Sequence, residues 1–215
     1  RDVERSRGLG DVYKRQMCNV VSVTAKPLCK DDFLQKIQKI SDSDTQYIIL
    51  REKYLSEQEY FNLAKNVLSV CDKDKLIIHN FPETAVKLGV KKIHLPFGAF
   101  KDLKGREDFD LLGTSVHSTE DAIFAEENGA DYITAGNIFE TDCKKGLNGK
   151  GVNFLRNVCD SVNIPVYAIG GINADTAKEL KSVNRKNFAG VCVMSLLMQS
   201  ENINDEVMKI KRELG

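Results

Sequence analysis

Short apolar runs alternate with amphipathic segments along the chain from Met17 to its end. The runs are rich in branched residues, which is typical of strands buried on both faces of a parallel sheet. The predicted strands are 19–24, 47–51, 76–79, 92–95, 111–115 and 132–135, with two more near positions 167 and 192. Eight strands separated by helical or loop sequence predict an α/β fold, a single (βα)8 TIM barrel.

The segments between the strands carry helix signals. Phe33, Ile37 and Ile40 share one face of a predicted helix. Residues 56–59, Ser-Glu-Gln-Glu, form a capping box that opens the next one. No shift in composition marks a boundary, so residues 17–215 are predicted to form one domain.

The first sixteen residues, Arg1 to Gln16, are polar and basic and have no apolar run. A signal peptide needs a hydrophobic centre, which this segment lacks. We expect a non-native leader that resembles translated vector or adaptor sequence. A disordered native extension is the alternative.

Composition limits the classes of partner. The 215 residues are 42% hydrophobic and carry 31 basic and 31 acidic side chains. Such a balance argues against nucleic acid or an acidic membrane surface as partner. No apolar run could span a bilayer, and the six cysteines show no paired spacing, so we expect a soluble, cytoplasmic protein with reduced thiols. The sequence is compatible with a monomer and with a homo-oligomer.

A phosphate site is predicted where the last two strands end. Gly170 and Gly171 follow an apolar run, and Asn173 is a candidate N-cap for the next helix. Met194 and Ser195 follow the eighth strand in the same way. Backbone N–H groups at adjacent strand ends of a barrel can hold one phosphate. The alternative is an ordinary strand followed by a glycine turn.

Basic and hydrogen-bonding side chains follow several other predicted strands. In a (βα)8 barrel these positions converge on one rim, where the chemistry takes place. They suit a small phosphorylated and carboxylated substrate, although each charge could also belong to a solvated loop. The set consists of Arg51, Lys53, His79, Ser115, His117, Thr141 and Lys144. His94 lies inside the fourth strand and is expected to be a hydrogen-bonded barrel residue.

Several motifs resemble the thiamine phosphate synthase superfamily over nearly the whole chain from Met17. They are residues 50–53 (Leu-Arg-Glu-Lys), 115–118 (Ser-Val-His-Ser), 129–132 (Gly-Ala-Asp-Tyr), 136–146, 164–172 (Ile-Pro-Val-Tyr-Ala-Ile-Gly-Gly-Ile) and 193–195 (Val-Met-Ser). Within the superfamily, Phe-Glu-Thr-Asp-Cys-Lys-Lys-Gly at 139–146 together with Ser-Val-His at 115–117 resembles the TenI branch, the thiazole tautomerases.

This resemblance implies an isomerase of thiamine biosynthesis. Such an enzyme shifts a proton on a carboxylated dihydrothiazole phosphate and produces the aromatic thiazole carboxylate phosphate. By resemblance His117 carries the proton, since an imidazole has a suitable affinity for it. Thr141 and Lys144 resemble family residues that face the substrate, and by this resemblance Lys144 is expected to hold its carboxylate. The alternative for His117 is a structural histidine beside the helix that Ser118 caps.

The synthase itself is the alternative enzyme, and it needs Mg²⁺ to neutralise a leaving pyrophosphate. The synthase pattern has an Asn-Asp pair after the third strand, an acidic residue after the fourth and a Gln before the Arg-Glu-Lys run. Here the corresponding segments are His79-Asn80, residues 95–99 (Leu-Pro-Phe-Gly-Ala) and Ile49. We therefore predict no metal and no cofactor, with Mg²⁺ required only if the synthase alternative holds. A catalytically silent phosphate-ligand binder with a regulatory role is the third possibility.

Overall fold

The computed structural model describes residues 18–141 and 148–215. Its eight strands form a closed parallel barrel in sequence order, with β8 paired to β1. The strands are β1 Asn19–Val23, β2 Tyr47–Leu50, β3 Leu76–His79, β4 Lys92–Pro96, β5 Leu111–Val116, β6 Tyr132–Gly136, β7 Val166–Ile169 and β8 Phe188–Val193. The predicted (βα)8 barrel is confirmed, and the predicted leader, residues 1–16, lies outside the described part.

Helices connect the strands and surround the barrel. They are α1 Phe33–Ser41, α2 Glu57–Leu68, α3 Pro82–Lys87, α4 Phe97–Lys101, α5 Thr119–Glu127, α6 Gly151–Ser161, α7 Ala174–Leu180, α8 Ser195–Gln199 and α9 Ile203–Leu214. The predicted caps at Ser56, Ser118 and Asn173 are present, each accepting a backbone N–H of the first turn. Over the described residues, no helix combines the length and apolar character needed to cross a bilayer.

Alternation along the strands divides the buried side chains into two layers. In β2, Ile48 and Leu50 belong to the large cluster shared with the helices, whereas Ile49 belongs to a smaller cluster inside the barrel. That inner cluster consists of Val21, Val23, Ile49, Ile77, Tyr132, Tyr167 and Cys192. Inward positions not filled by these apolar groups are available for polar side chains.

The aromatic ring of Tyr132 occupies the space beside Gly113 on the neighbouring strand. The two residues are paired across β5 and β6, and a Cβ added at Gly113 would overlap ring atoms of Tyr132. Glycine is therefore required at 113 for this ring to lie inside the barrel. In this position the Tyr132 hydroxyl contacts a buried histidine, His94.

Tyr60 of α2 ties two strand ends together. Its fully buried hydroxyl donates to the Leu50 carbonyl at 2.6 Å and accepts the His79 backbone N–H at 3.0 Å. Burial raises the pKa of Tyr60 far above its ordinary value, so the donor proton is retained. One side chain thus fixes the end of β2, which precedes Arg51, relative to the end of β3.

We expect Tyr60→Phe to lower the free energy of unfolding by about 1–3 kcal/mol, because two buried backbone groups lose their partner. Urea denaturation measures the change. Tyr54→Phe is the matched control, since Tyr54 is 57% exposed and its hydroxyl contacts the Glu52 side chain and no backbone group of β2 or β3, so its effect should be smaller than that of Tyr60→Phe. Equal losses in the two variants would contradict the role given to the Tyr60 hydroxyl.

Candidate active site

A cavity of about 1140 Å³ lies where the barrel strands end. Every predicted site residue in the described part of the chain lines it: Arg51, Lys53, His79, Ser115, His117, Thr141, Gly170, Gly171, Met194 and Ser195. Lys144 lies outside the described residues. The barrel therefore brings the predicted residues together, and their individual roles stay predictions.

The His117 imidazole is held by the adjacent strand. Its Nδ1 lies 2.7 Å from the carbonyl oxygen of Gly136, at the end of β6. A carbonyl oxygen only accepts hydrogen bonds, so we assign the ring proton to Nδ1. Nε2 is then the ring nitrogen that can accept a proton, and His117 lines the cavity.

The backbone of His117 is fixed separately from its ring. Its N–H donates to Asp121 Oδ2 at 3.1 Å, and Ser118 Oγ accepts the Asp121 N–H at 3.0 Å. Lys150 Nζ donates to the His117 carbonyl. These neighbours complete the start of α5 without the imidazole, whose Nδ1 contacts the Gly136 carbonyl instead.

Two more histidines lie inside the barrel with their rings stacked. The ring centroids of His79 and His94 are 6.0 Å apart, and the residues are 6% and 3% exposed. Burial, aided by nearby positive charge, lowers the pKa of His79 to about 2. Burial and the charge of Arg51 lower the pKa of His94 to about 3. Both rings are therefore neutral at physiological pH.

His94 is hydrogen-bonded on both ring nitrogens, as expected for a barrel residue. Nδ1 lies 3.0 Å from Tyr132 Oη, and Nε2 lies 2.8 Å from Ser115 Oγ. It also lines the cavity, which the sequence analysis did not foresee. Its inward direction could have been deduced from alternation, because Ile93 and Leu95 on either side belong to the outer apolar cluster.

Glycine is required at the predicted phosphate site. Gly170 and Gly171 have φ values of +105° and +64°, and a Cβ on Gly171 would overlap the Glu140 carbonyl. The Asn173 side chain already accepts the first-turn N–H groups of α7 at 2.9 and 3.0 Å. The predicted phosphate contacts are therefore left to the glycines and to Met194 and Ser195 at the start of α8.

A buried glutamate, Glu52, separates Arg51 from Lys53 along the chain. Glu52 is 2% exposed and accepts Thr24 Oγ1 at 2.5 Å and the Lys26 N–H at 2.9 Å. It joins the segments after β1 and β2, while Arg51 and Lys53 on either side line the cavity. The sequence analysis assigned no role to Glu52, because its partners lie more than twenty residues away.

The residues after β3 and β4 do not fit a Mg²⁺ ion. Asn80 is exposed and lies outside the cavity lining, and β4 is followed by Phe97 and Gly98. Within 18–141 and 148–215, no three His, Cys, Asp or Glu side chains are grouped so that they could hold a metal. Mg²⁺ requires oxygen ligands, usually including a carboxylate. The absence of a metal requirement stays a prediction.

Further cavity residues escaped the sequence analysis. Thr134 and Asn137 belong to or follow β6, and Glu140 and Asn148 lie on either side of the undescribed residues 142–147. Thr134 points inward in phase with Tyr132, so alternation along β6 could have identified it. The positions of Glu140 and Asn148 depend on the loop conformation, for which the sequence has no comparable periodic signal.

Comparisons with known proteins agree with this architecture. The structure of thiamine phosphate pyrophosphorylase from Pyrococcus furiosus superimposes with a TM-score of 0.75, covering 93% of this chain and 96% of that one. Its sequence identity of 24% supports the fold alone. The family model described as thiamine monophosphate synthase matches residues 20–197.

Curated relatives match at higher identity. A thiamine-phosphate synthase of Clostridium tetani is 31% identical over 194 residues, covering 86% of this chain and 90% of the relative. One from Clostridium botulinum strain Hall is 34% identical over 164 residues, covering 72% and 77%. These names agree better with the synthase alternative than with the tautomerase, and the TenI branch stays a prediction. The family match nevertheless spans most of the chain, and this protein belongs to the thiamine monophosphate synthase family.

Proposed function

We propose that this protein is a thiazole tautomerase of thiamine biosynthesis. The observation that carries the proposal is the His117 ring, whose Nδ1 is engaged by the Gly136 carbonyl while the residue lines the cavity. With Nδ1 occupied in this way, Nε2 is left to act as the base for a proton shift. Family membership supports the coarser statement that the ligand is a small phosphorylated molecule of thiamine biosynthesis.

In the proposed reaction, His117 Nε2 removes the ring proton of a carboxylated dihydrothiazole phosphate. The electron pair of that C–H bond enters the ring, the exocyclic double bond shifts, and the imidazolium returns a proton to the exocyclic carbon. The product is the aromatic thiazole, so protons and electrons balance without an oxidant. In this proposal the phosphate binds at Gly170, Gly171 and the start of α8. Lys144 is predicted to hold the carboxylate, and Arg51 and Lys53 add positive charge at the cavity wall.

Thiamine-phosphate synthase is the second candidate, and the similarity to the Clostridium synthases favours it. That reaction couples a pyrimidine diphosphate with a thiazole phosphate and releases pyrophosphate. The donor set after β3 and β4 argues against it, because negative charge on the leaving group would meet no carboxylate-bound Mg²⁺ there. A silent phosphate-ligand binder is the third candidate, and turnover by the purified protein would eliminate it.

The two buried histidines contribute almost no positive charge to the site. His79 and His94 hold little positive charge even in mild acid, because the pKa of each is lowered by burial. Among the described residues, Arg51 and Lys53 supply positive charge at this side of the cavity, and their charges also lower the pKa of His79. An anionic substrate is attracted to these cations without protonation of the barrel interior.

We expect His117→Ala to lower kcat of the tautomerase reaction by roughly 10²–10⁴-fold with little change in KM, because a positioned base is lost while binding groups remain. Steady-state assays with the dihydrothiazole carboxylate phosphate measure both constants. Ser118→Ala is the matched control: it weakens the cap of α5 by about 1 kcal/mol but keeps the imidazole, so kcat should change less than about threefold. Near-native turnover by His117→Ala would refute the assignment.

Metal dependence separates the two enzymes. Tautomerase turnover should be unaffected by excess EDTA, because proton transfer releases no pyrophosphate. No thiamine phosphate should form from pyrimidine diphosphate and thiazole phosphate, even with Mg²⁺ at about millimolar concentration. Product analysis by chromatography decides both. Robust Mg²⁺-dependent coupling would contradict the tautomerase proposal and favour the synthase. Asn80 would then be the first residue to test as a Mg²⁺ ligand.

Acid should destabilise the fold through the two buried histidines. Their pKa values of about 2 and 3 in the fold lie below the ordinary value near 6.5, so the unfolded chain binds more protons once the pH falls below about 6.5. The free energy of unfolding should then fall with pH, by up to about 1.4 kcal/mol per pH unit for each histidine. Urea denaturation between pH 7 and 5 should show a shallower fall for His94→Gln than for the unmodified protein. Parallel curves would contradict the assignment.

A further inference from the structure

A chain of hydrogen bonds crosses the barrel interior from Tyr132 to the cavity. Tyr132 Oη lies 3.0 Å from His94 Nδ1, and His94 Nε2 lies 2.8 Å from Ser115 Oγ. Thr134 Oγ1 lies 3.0 Å from the same serine oxygen. Ser115 connects these hydrogen bonds to the cavity, because it lines the cavity together with His117.

The direction of the first two hydrogen bonds follows from which atom carries each proton. Burial raises the pKa of Tyr132 well above its ordinary value, so the phenol keeps its proton. A buried tyrosine hydroxyl needs an acceptor, and in the described part of the chain its hydrogen-bond partner is His94 Nδ1. A neutral His94 that accepts at Nδ1 carries its proton on Nε2, so it donates to Ser115 Oγ.

The donor in the hydrogen bond between Thr134 and Ser115 is assigned in the same way. Thr134 is 1% exposed, and in the described part of the protein the hydrogen-bond partner of its hydroxyl is Ser115 Oγ, so we assign the Thr134 proton to that bond. A serine hydroxyl has two acceptor positions and one proton. With His94 and Thr134 in both acceptor positions, the Ser115 proton points in a third direction, and Ser115 lines the cavity.

We propose that Tyr132 and His94 are positioning residues that make the Ser115 hydroxyl an obligatory hydrogen-bond donor to an acceptor oxygen of the bound ligand. The ligand named here, a thiazole carboxylate phosphate, rests on the proposed function. The direction of the hydrogen bonds does not, because it follows from the protein alone.

The acceptor is a carboxylate oxygen of the ligand. Arg51 lines the same cavity, and its charge is close enough to lower the pKa of both barrel histidines. A hydroxyl donor and a guanidinium together favour an anionic oxygen, which can accept from both. A ligand that presents an N–H group at this point would face the Ser115 proton and lose binding, so the fixed serine also contributes to specificity.

The tautomer of His94 tests the direction of the chain without any ligand. In ¹⁵N-labelled protein, two-bond proton–nitrogen NMR spectra should show His94 as the Nε2–H tautomer at neutral pH. The opposite Nδ1–H tautomer would overturn the proposal, because Ser115 could then donate to His94 instead of to the cavity. This outcome is independent of which reaction the enzyme catalyses.

Variants test the consequence for binding, with the aromatic thiazole carboxylate phosphate as the probe in calorimetry. Ser115→Ala should raise Kd by about tenfold or more, because a hydrogen bond to a charged oxygen is lost. Tyr132→Phe keeps the ring beside Gly113 but removes the hydroxyl that orients His94. It should raise Kd by about 3–10-fold and shift the His94 nitrogen signals towards a mixture of tautomers.

Tyr167→Phe is the matched control. Tyr167 also lies in the inner cluster, 5.7 Å from Tyr132 between ring centroids, but its hydroxyl contacts Gln46 Oε1 at 2.8 Å. Its Kd and its His94 signals should match those of the unmodified protein. Equal effects of Tyr132→Phe and Tyr167→Phe would overturn the positioning role. If the probe binds as expected but no tautomerase turnover is found, the proposed function fails and the role of Ser115 stands.

Discussion

Closure of eight parallel strands is the constraint on which the other features depend. A closed sheet has no free edge, and each strand has one row of side chains directed inward. Those rows must fill the interior, and here they do so with an apolar cluster and with polar side chains that bond one another. The residues after the strands then converge on one rim. The site is therefore a consequence of strand order and phase.

Polar groups inside the barrel are stable because they pair with each other. A buried histidine that remained charged would pay a large desolvation cost, and lowering the pKa avoids it. The neutral ring then needs one donor and one acceptor partner, which Tyr132 and Ser115 provide. Tyr132 can reach His94 only because residue 113 is glycine. Packing and hydrogen bonding are thus coupled: a methyl group at 113 would displace the ring whose hydroxyl holds the histidine.

The sequence predicts the fold well because its signals are local. Apolar runs and helix caps depend on neighbouring residues, and β3 was predicted at the observed bounds while other elements differ by one or a few residues. The contents of the cavity were also predictable, since residues after the strands must meet at one rim. Hydrogen bonds between residues that are distant in the sequence were not predictable. Tyr60 joins β2 to β3, and the Gly136 carbonyl orients His117 nineteen residues away, and no periodic pattern encodes either contact.

The groups of the site stand on different strand ends, which explains how relatives named as synthases can share this fold with a protein for which a different reaction is proposed. The glycines and Ser195 that are predicted to bind phosphate follow β7 and β8, and His117 follows β5. The synthase pattern places its metal ligands after β3 and β4. Because each group stands on its own strand end, the carboxylates can be replaced while the phosphate site and the base keep their geometry. Family membership therefore fixes the barrel and the class of ligand, and the donor atoms after β3 and β4 decide between pyrophosphate release and proton transfer.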